Sequence, residues 1–346
     1  MERSLNILLL VAISFVFFIA CSQGAKKPDV SEIELALKIQ RFDQEFARLD
    51  SNLVLSQNRL WQKKYGDFYS DFMLHMLHVG NPADTLYMKD ILPKIIKEQD
   101  FKALAKAVNL AFPDLTKQEE ELTLAFKYIK YYFPEYKTPN IISFFSGFSV
   151  QVPVGNDYIG IGLDMFLGAH STFYPALIQS IPLYVSRRFT PENITPRVIE
   201  SVLREELIPE KELNSNTLEQ MIYHGKILYA MDCVLDVADS LKIGYSKEQM
   251  EWANHYEMEV WSWFLEENLL YSTDYQRIQK YFTEAPFTPE LGENNSSAPK
   301  LGSFIGWQIV KKYMDKHPEM TLNDLLKEEN AQKILEDSKY KGRSSS

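Results

Sequence analysis

Apolar positions recur at helical spacing through most of the chain. Ile33, Leu37, Ile39, Phe42, Phe46 and Leu49 roughly keep one helix face, with Ser31 placed to cap it and Glu34 three residues later, as in a capping box. The same spacing predicts helices over 60–76, 85–97, 101–111 and 116–133, the last capped by Thr116 and halted by Pro134. A second helical half covers 175–187, 195–207, 216–239, 246–268, 274–282, 301–317, 321–327 and 330–338. Pro286, Pro289, Gly292 and Pro299, among Asn and Ser, mark a loop before the 301–317 helix.

Between these halves the pattern changes. Gly147, Gly155, Gly160, Gly162 and Gly168 fall close together, where the backbone must turn tightly or lie against something. Residues 140–148 (NIISFFSGF) and 158–163 (YIGIGL) have strand composition, and 151–154 is a third, short strand ended by Val-Gly-Asn. The expected fold class is therefore α+β, mostly α-helical, with one small antiparallel sheet embedded in helices.

Composition narrows the function. The 346 residues are 45% hydrophobic, 13% aromatic and 24% charged, too apolar for a disordered chain. A net charge of −10 and a pI near 5.3 argue against nucleic acid as a partner, since phosphate binding along a strand needs a basic face. Two cysteines, Cys21 and Cys233, exclude a disulfide scaffold and any Cys-rich metal site.

Residues 5–20 (LNILLLVAISFVFFIA) are almost wholly apolar and follow Arg3. That length fits a signal-peptide core better than a membrane span of roughly 20 residues. The run ends Phe18-Ile19-Ala20-Cys21, which resembles the lipobox of bacterial lipoproteins, with Phe18 in place of the usual Leu. The resemblance implies cleavage before Cys21 and acylation (palmitate among the chains) at that residue. The expected layout is a signal peptide at 1–20, a lipidated cysteine and tether at 21–31, a single globular domain at 32–340 and a mobile tail at 341–346. Removing Glu2 and Arg3 leaves the charge of the body unchanged.

Candidate chemistry is sparse. There is no P-loop, no G-x-S-x-G and no H-E-x-x-H. His75 and His78 are three apart without a third ligand in sight, and Cys233 reads as a buried thiol. His255 and Glu259 are four apart on an aromatic-rich helix, which reads as a packing helix with an exposed pair. Asp232 follows Leu218 and Gly225 at intervals of seven, among Met221, Ile222, Leu228 and Leu235. A carboxylate on an apolar stripe needs a partner, and a structural bond to a tyrosine or lysine is the commoner solution. Arg187, Arg188, Arg197 and Arg204 could receive an anion, but Glu192, Glu200, Glu205 and Glu206 interleave with them, so a solvated mixed-charge face is expected.

The stretches DYIGIGLDMFLG (157–168), RRFTPENITP (187–196), LKIGYS (241–246), NLLYSTD (268–274), APFTP (285–289) and GSFIGWQIVKKYM (302–314) resemble the gliding motility-associated lipoprotein GldB family. With the lipobox-like Cys21, the likeness covers nearly the whole chain. It implies a cell-envelope lipoprotein, lipid-anchored, that supports gliding through other envelope or gliding-machinery proteins; Ser22 after the cysteine gives no strong sorting signal, and a periplasm-facing anchor is expected. A remoter likeness is to zincin metallopeptidases. Their H-E-x-x-H helix would correspond to 195–207, which holds Glu200 but no histidine, while His224 stands before Gly225 on the next helix. Two imidazoles one turn apart are needed to hold the metal, so such a site would be degenerate. The expectation is a non-catalytic interaction protein with no cofactor and no metal. The alternatives are a hydrolase built from Glu200, His224, Asp232, His255 or Glu259, and a solute-binding lipoprotein.

Overall fold

The computed structural model describes residues 27–210, 215–292, 294 and 296–343. Cys21, the apolar leader and the start of the tether lie outside them. Residues 27–32 belong to a separate unit, in which Asp29 accepts a hydrogen bond from Ser31 N–H at 2.9 Å. Everything from Ile33 onward forms one compact unit, and no described helix is long and apolar enough to cross a membrane.

The first apolar stretch is not the expected helix. Ile39–Arg41 is strand β1, and only Phe42–Ala47 is helical (α1). Helical period and β-branched content compete there, and pairing to a buried strand elsewhere prevails over local spacing. Four helices follow, α2 (Val54–Asp71), α3 (Thr85–Ile95), α4 (Gln99–Ala111) and α5 (Thr116–Tyr132). They return the chain to β2 (Asn140–Phe144), and β3 (Tyr158–Gly162) comes next. Both pairings are parallel, with Ile39 opposite Ile141 and Ile141 opposite Ile159.

The antiparallel expectation is thus corrected: helices return the chain between β1 and β2, and between β2 and β3 the chain runs back through residues 145–157 before the next strand begins. The expected short strand at 151–154 does lie antiparallel to β3, bridging Val154 to Ile159. Gly160 and Gly162 donate to Pro153 O at 2.8 Å and Gln151 O at 2.9 Å. A Cβ at Gly162 would stand 2.4 Å from Val150 O, which explains glycine at that position.

In the second half, the predicted 175–187 helix is broken. Pro182 is extended, leaving a short turn at Tyr174–Leu177 and a single helical turn α6 (Leu183–Ser186). Helix α7 (Ile194–Val202) runs on into a wider π-type turn at Leu203–Leu207. Helix α8 (Thr217–Val234) starts from a capping box between Asn216 and Glu219. After α9 (Asp239–Ile243), the expected 246–268 helix is divided at Tyr256 into α10 (Lys247–His255) and α11 (Glu257–Glu266). Then come α12 (Tyr275–Ile278), α13 (Leu301–Lys316), α14 (Leu322–Lys327) and α15 (Ala331–Ser338).

The centre of this half is the crossing of α8 and α13, where Gly225 meets Gly306 backbone to backbone. The chain end is held as far as Arg343, whose guanidinium lies 3.4 Å from the buried Glu257 carboxylate and donates to Asn254. That part of the expected mobile tail is therefore docked.

Candidate functional site

Glu200 and His224 are the two sequence candidates that the fold brings together, and they meet through arginines. On α7, Glu200 follows Arg197 by three residues, and Arg204 follows Glu200 by four, on the π-type turn. This spacing sets one carboxylate between two guanidiniums. Arg197 Nη1 donates to Glu200 Oε2 at 2.8 Å, and Arg204 Nε donates to Oε1 at 3.0 Å. Arg197 is steadied from behind by Gln151 Oε1 at 2.9 Å, from the segment laid along β3. Arg204 Nη2 lies 3.4 Å from His224 Nδ1 on α8, and the imidazole stacks on Phe282 with ring centres 5.3 Å apart.

Two residues not singled out in the sequence complete the cluster. Lys300 caps α13 with a left-handed backbone (φ 50°) and donates to Glu284 Oε1 at 2.8 Å and to Ile243 O. Arg188 pairs with the same Glu284 oxygen. Gly244, at φ 79°, lets Arg188 pass, since a Cβ there would fall 2.0 Å from its Cζ. Arg187 turns aside to Gly244 O and Gln249 Oε1. The only sequence signal for Glu284 and Lys300 was their place at the two ends of the Pro-rich loop.

The cluster is half-buried, and its side chains are partly exposed. Arg197 and Arg204 keep 32% and 31% of their side-chain surface exposed, Glu284 33%, Glu200 17%, Lys300 13% and Arg188 11%. Burial works to raise the Glu200 carboxyl, but Arg197, Arg204, Lys300 and Arg188 outweigh it and hold it well below the usual range. Burial first, then Arg204, pushes His224 down to about 3. Burial likewise brings Lys300 down to about 8, with Arg188 adding to it against the pull of Glu284. At neutral pH Glu200 is therefore a fixed anion and His224 a fixed neutral ring, and neither exchanges protons readily.

His224 sets a pH dependence. It is neutral in the folded chain but takes up a proton near 6.5 once unfolded, so stability present above pH 6.5 is lost as pH falls towards about 3. A His224→Asn variant is expected to flatten the decline of the urea midpoint between about pH 7 and pH 4. An unchanged slope would contradict the assignment.

The remaining candidates lie elsewhere. Asp232 accepts from Trp307 Nε1 at 2.7 Å and Lys242 Nζ at 2.6 Å, and Lys311 stands over the Trp307 ring at 3.7 Å. It is the structurally bonded acid that its apolar stripe called for. His255 and Glu259 are exposed and fall on either side of the break at Tyr256, so they do not share one helix face. His75 is exposed, and His78 has left the helix with φ 54°. Cys233 is half-buried beside Tyr132. Among the described residues no three His, Cys, Asp or Glu converge to hold a metal ion.

Compared with known proteins, residues 23–342 match the family described as gliding motility protein GldB. No curated protein matches. No solved structure matches either, so the zincin likeness has no support.

Proposed function

The chain belongs to the GldB family of gliding motility lipoproteins, and on that premise we propose that it serves gliding by binding other envelope proteins rather than by catalysis. The observation that carries the non-catalytic reading is the double clasp on Glu200. Both carboxylate oxygens are taken by arginines, and the nearest imidazole is held neutral. A carboxylate that its arginines hold well below the usual range is a poor base towards water.

The anchor is the lipid on Cys21, with the body on the periplasmic side. Each buried acyl CH2 contributes about 0.8 kcal/mol, and two or more chains make such anchoring durable. In cells whose only copy carries Cys21→Ala, the protein is expected to leave the membrane fraction and surface spreading to stop. Spreading that persists with the protein still at the membrane would overturn the proposal. Glu259→Gln and His255→Asn are expected to leave spreading unchanged. A loss at normal protein level would point to chemistry on that helix pair.

A further inference from the structure

The sequence suggested that Glu192, Glu200, Glu205 and Glu206 would neutralise the arginines around them. In the fold only Glu200 does so. Glu192, Glu205 and Glu206 are exposed, and Glu206 bonds to Tyr136 instead. Arg188, Arg197, Arg204 and Lys300 act together on Glu200 and Glu284, the two carboxylates that offset them, with His224 neutral. Arg187 has Glu248 near it. Two positive charges are thus left over in a half-buried place, where like charges repel far more strongly than in water.

We propose that this half-buried cluster of cations binds a phosphate group, held by Arg197, Arg204 and Lys300. A phosphate monoester or hydrogen phosphate carries close to two negative charges at neutral pH, which cancels the surplus, whereas a carboxylate cancels half of it. Guanidinium forks match its oxygens. The exposed fractions of Arg197 and Arg204 leave donors open to an incoming ligand. The first turn of α13, 16 residues long and begun at Lys300, adds partial positive charge. A nucleic acid is a poor occupant, because the chain is acidic overall and the cations form one local cluster.

The test is calorimetric titration of the full chain, in nonionic detergent at low salt, with inorganic phosphate and separately with glycerol phosphate. Saturable one-to-one binding is expected, weakened about tenfold by Lys300→Met and by Arg197→Met, the loss of one charge-assisted bond each. Lys247→Met, at an exposed lysine paired with Glu251, is expected to bind as the parent does. Urea midpoints identify any variant that has lost its fold, and the other cluster variant then carries the comparison. Preference for glycerol phosphate over the free ion would identify an esterified ligand, and equal binding the ion itself; both support the site. Absence of saturable binding, or equal weakening by Lys247→Met, would overturn it. Attraction only to phosphate-headed lipid vesicles would do the same, moving the interaction to the membrane surface.

Discussion

Gly306→Ala is expected to destabilise the chain by about 3 kcal/mol or more, the upper end for overpacking, because the obstacle is backbone and cannot rotate away. A Cβ at Gly306 would stand 1.8 Å from Met221 O, and one at Gly225 would stand 2.4 Å from Gly306 O. Either methyl forces α8 and α13 apart. The separation would also pull Trp307, the next residue, from Asp232, whose carboxylate joins Trp307 to Lys242 and Lys311. Lys242 has only 8% of its side chain exposed, so loosening its partner leaves a charge poorly solvated.

Once the helices have separated, the second methyl costs little. The Gly225→Ala/Gly306→Ala double variant is therefore expected to lose clearly less than the sum of the two singles. Urea unfolding of the four proteins measures this. Full additivity would mean that the two glycines do not share one contact.

Glu200→Ala is the second large loss expected, about 3 kcal/mol at neutral pH. Breaking a buried pair leaves the partner charges uncompensated, and here it frees two guanidiniums at once. Their partial exposure keeps the figure at the lower end of the usual range. The sign of its pH dependence follows from the carboxyl being held below its ordinary 4.5. Its contribution is complete above about pH 4.5 and is lost as pH falls further, because the unfolded chain takes up the proton first. Wild type and Glu200→Gln should therefore differ most near neutrality and converge in acid. A gap that stays constant down to about pH 3 would show that the carboxylate charge is not what stabilises the fold. In the variant the surplus of positive charge rises, so added phosphate is expected to restore more stability than it adds to wild type.

Much of the helical framework could be read directly. The stop at Pro134 and the start at Asn216 fall within a residue or two of the observed ends, because caps and proline act on neighbours in sequence; Thr116 is the first residue of its helix and does not cap it, since the N-cap position is Leu115 with no side-chain bond. The misreadings have different causes, and at 175–187 Pro182 was in plain view. Ile39 and Phe42 have helical spacing, yet a strand a hundred residues away claims the first of them. The divide at Tyr256 has no proline or glycine to announce it.

The candidate residues divide in the same way. Asp232 was legible because an acid on an apolar stripe demands a partner, and the partner proved to be a lysine with a tryptophan. The arginine-rich stretch was visible as well, but its charge balance was not. Neighbouring glutamates in sequence turned to solvent, while Glu284 and Lys300 arrived from beyond α11 and α12.

The sequence by itself determined the apolar leader and its Cys21, the helix-rich α+β class, the acidic charge and the family to which the chain belongs, since all of these are written in composition, local period and contiguous motifs. The tertiary structure alone decided that the strands run parallel, that Gly225 and Gly306 touch, and that four cations share two carboxylates in one half-buried cluster. Those features depend on which distant segments are packed together, and the energy of a close contact or a shared charge exists only once they are.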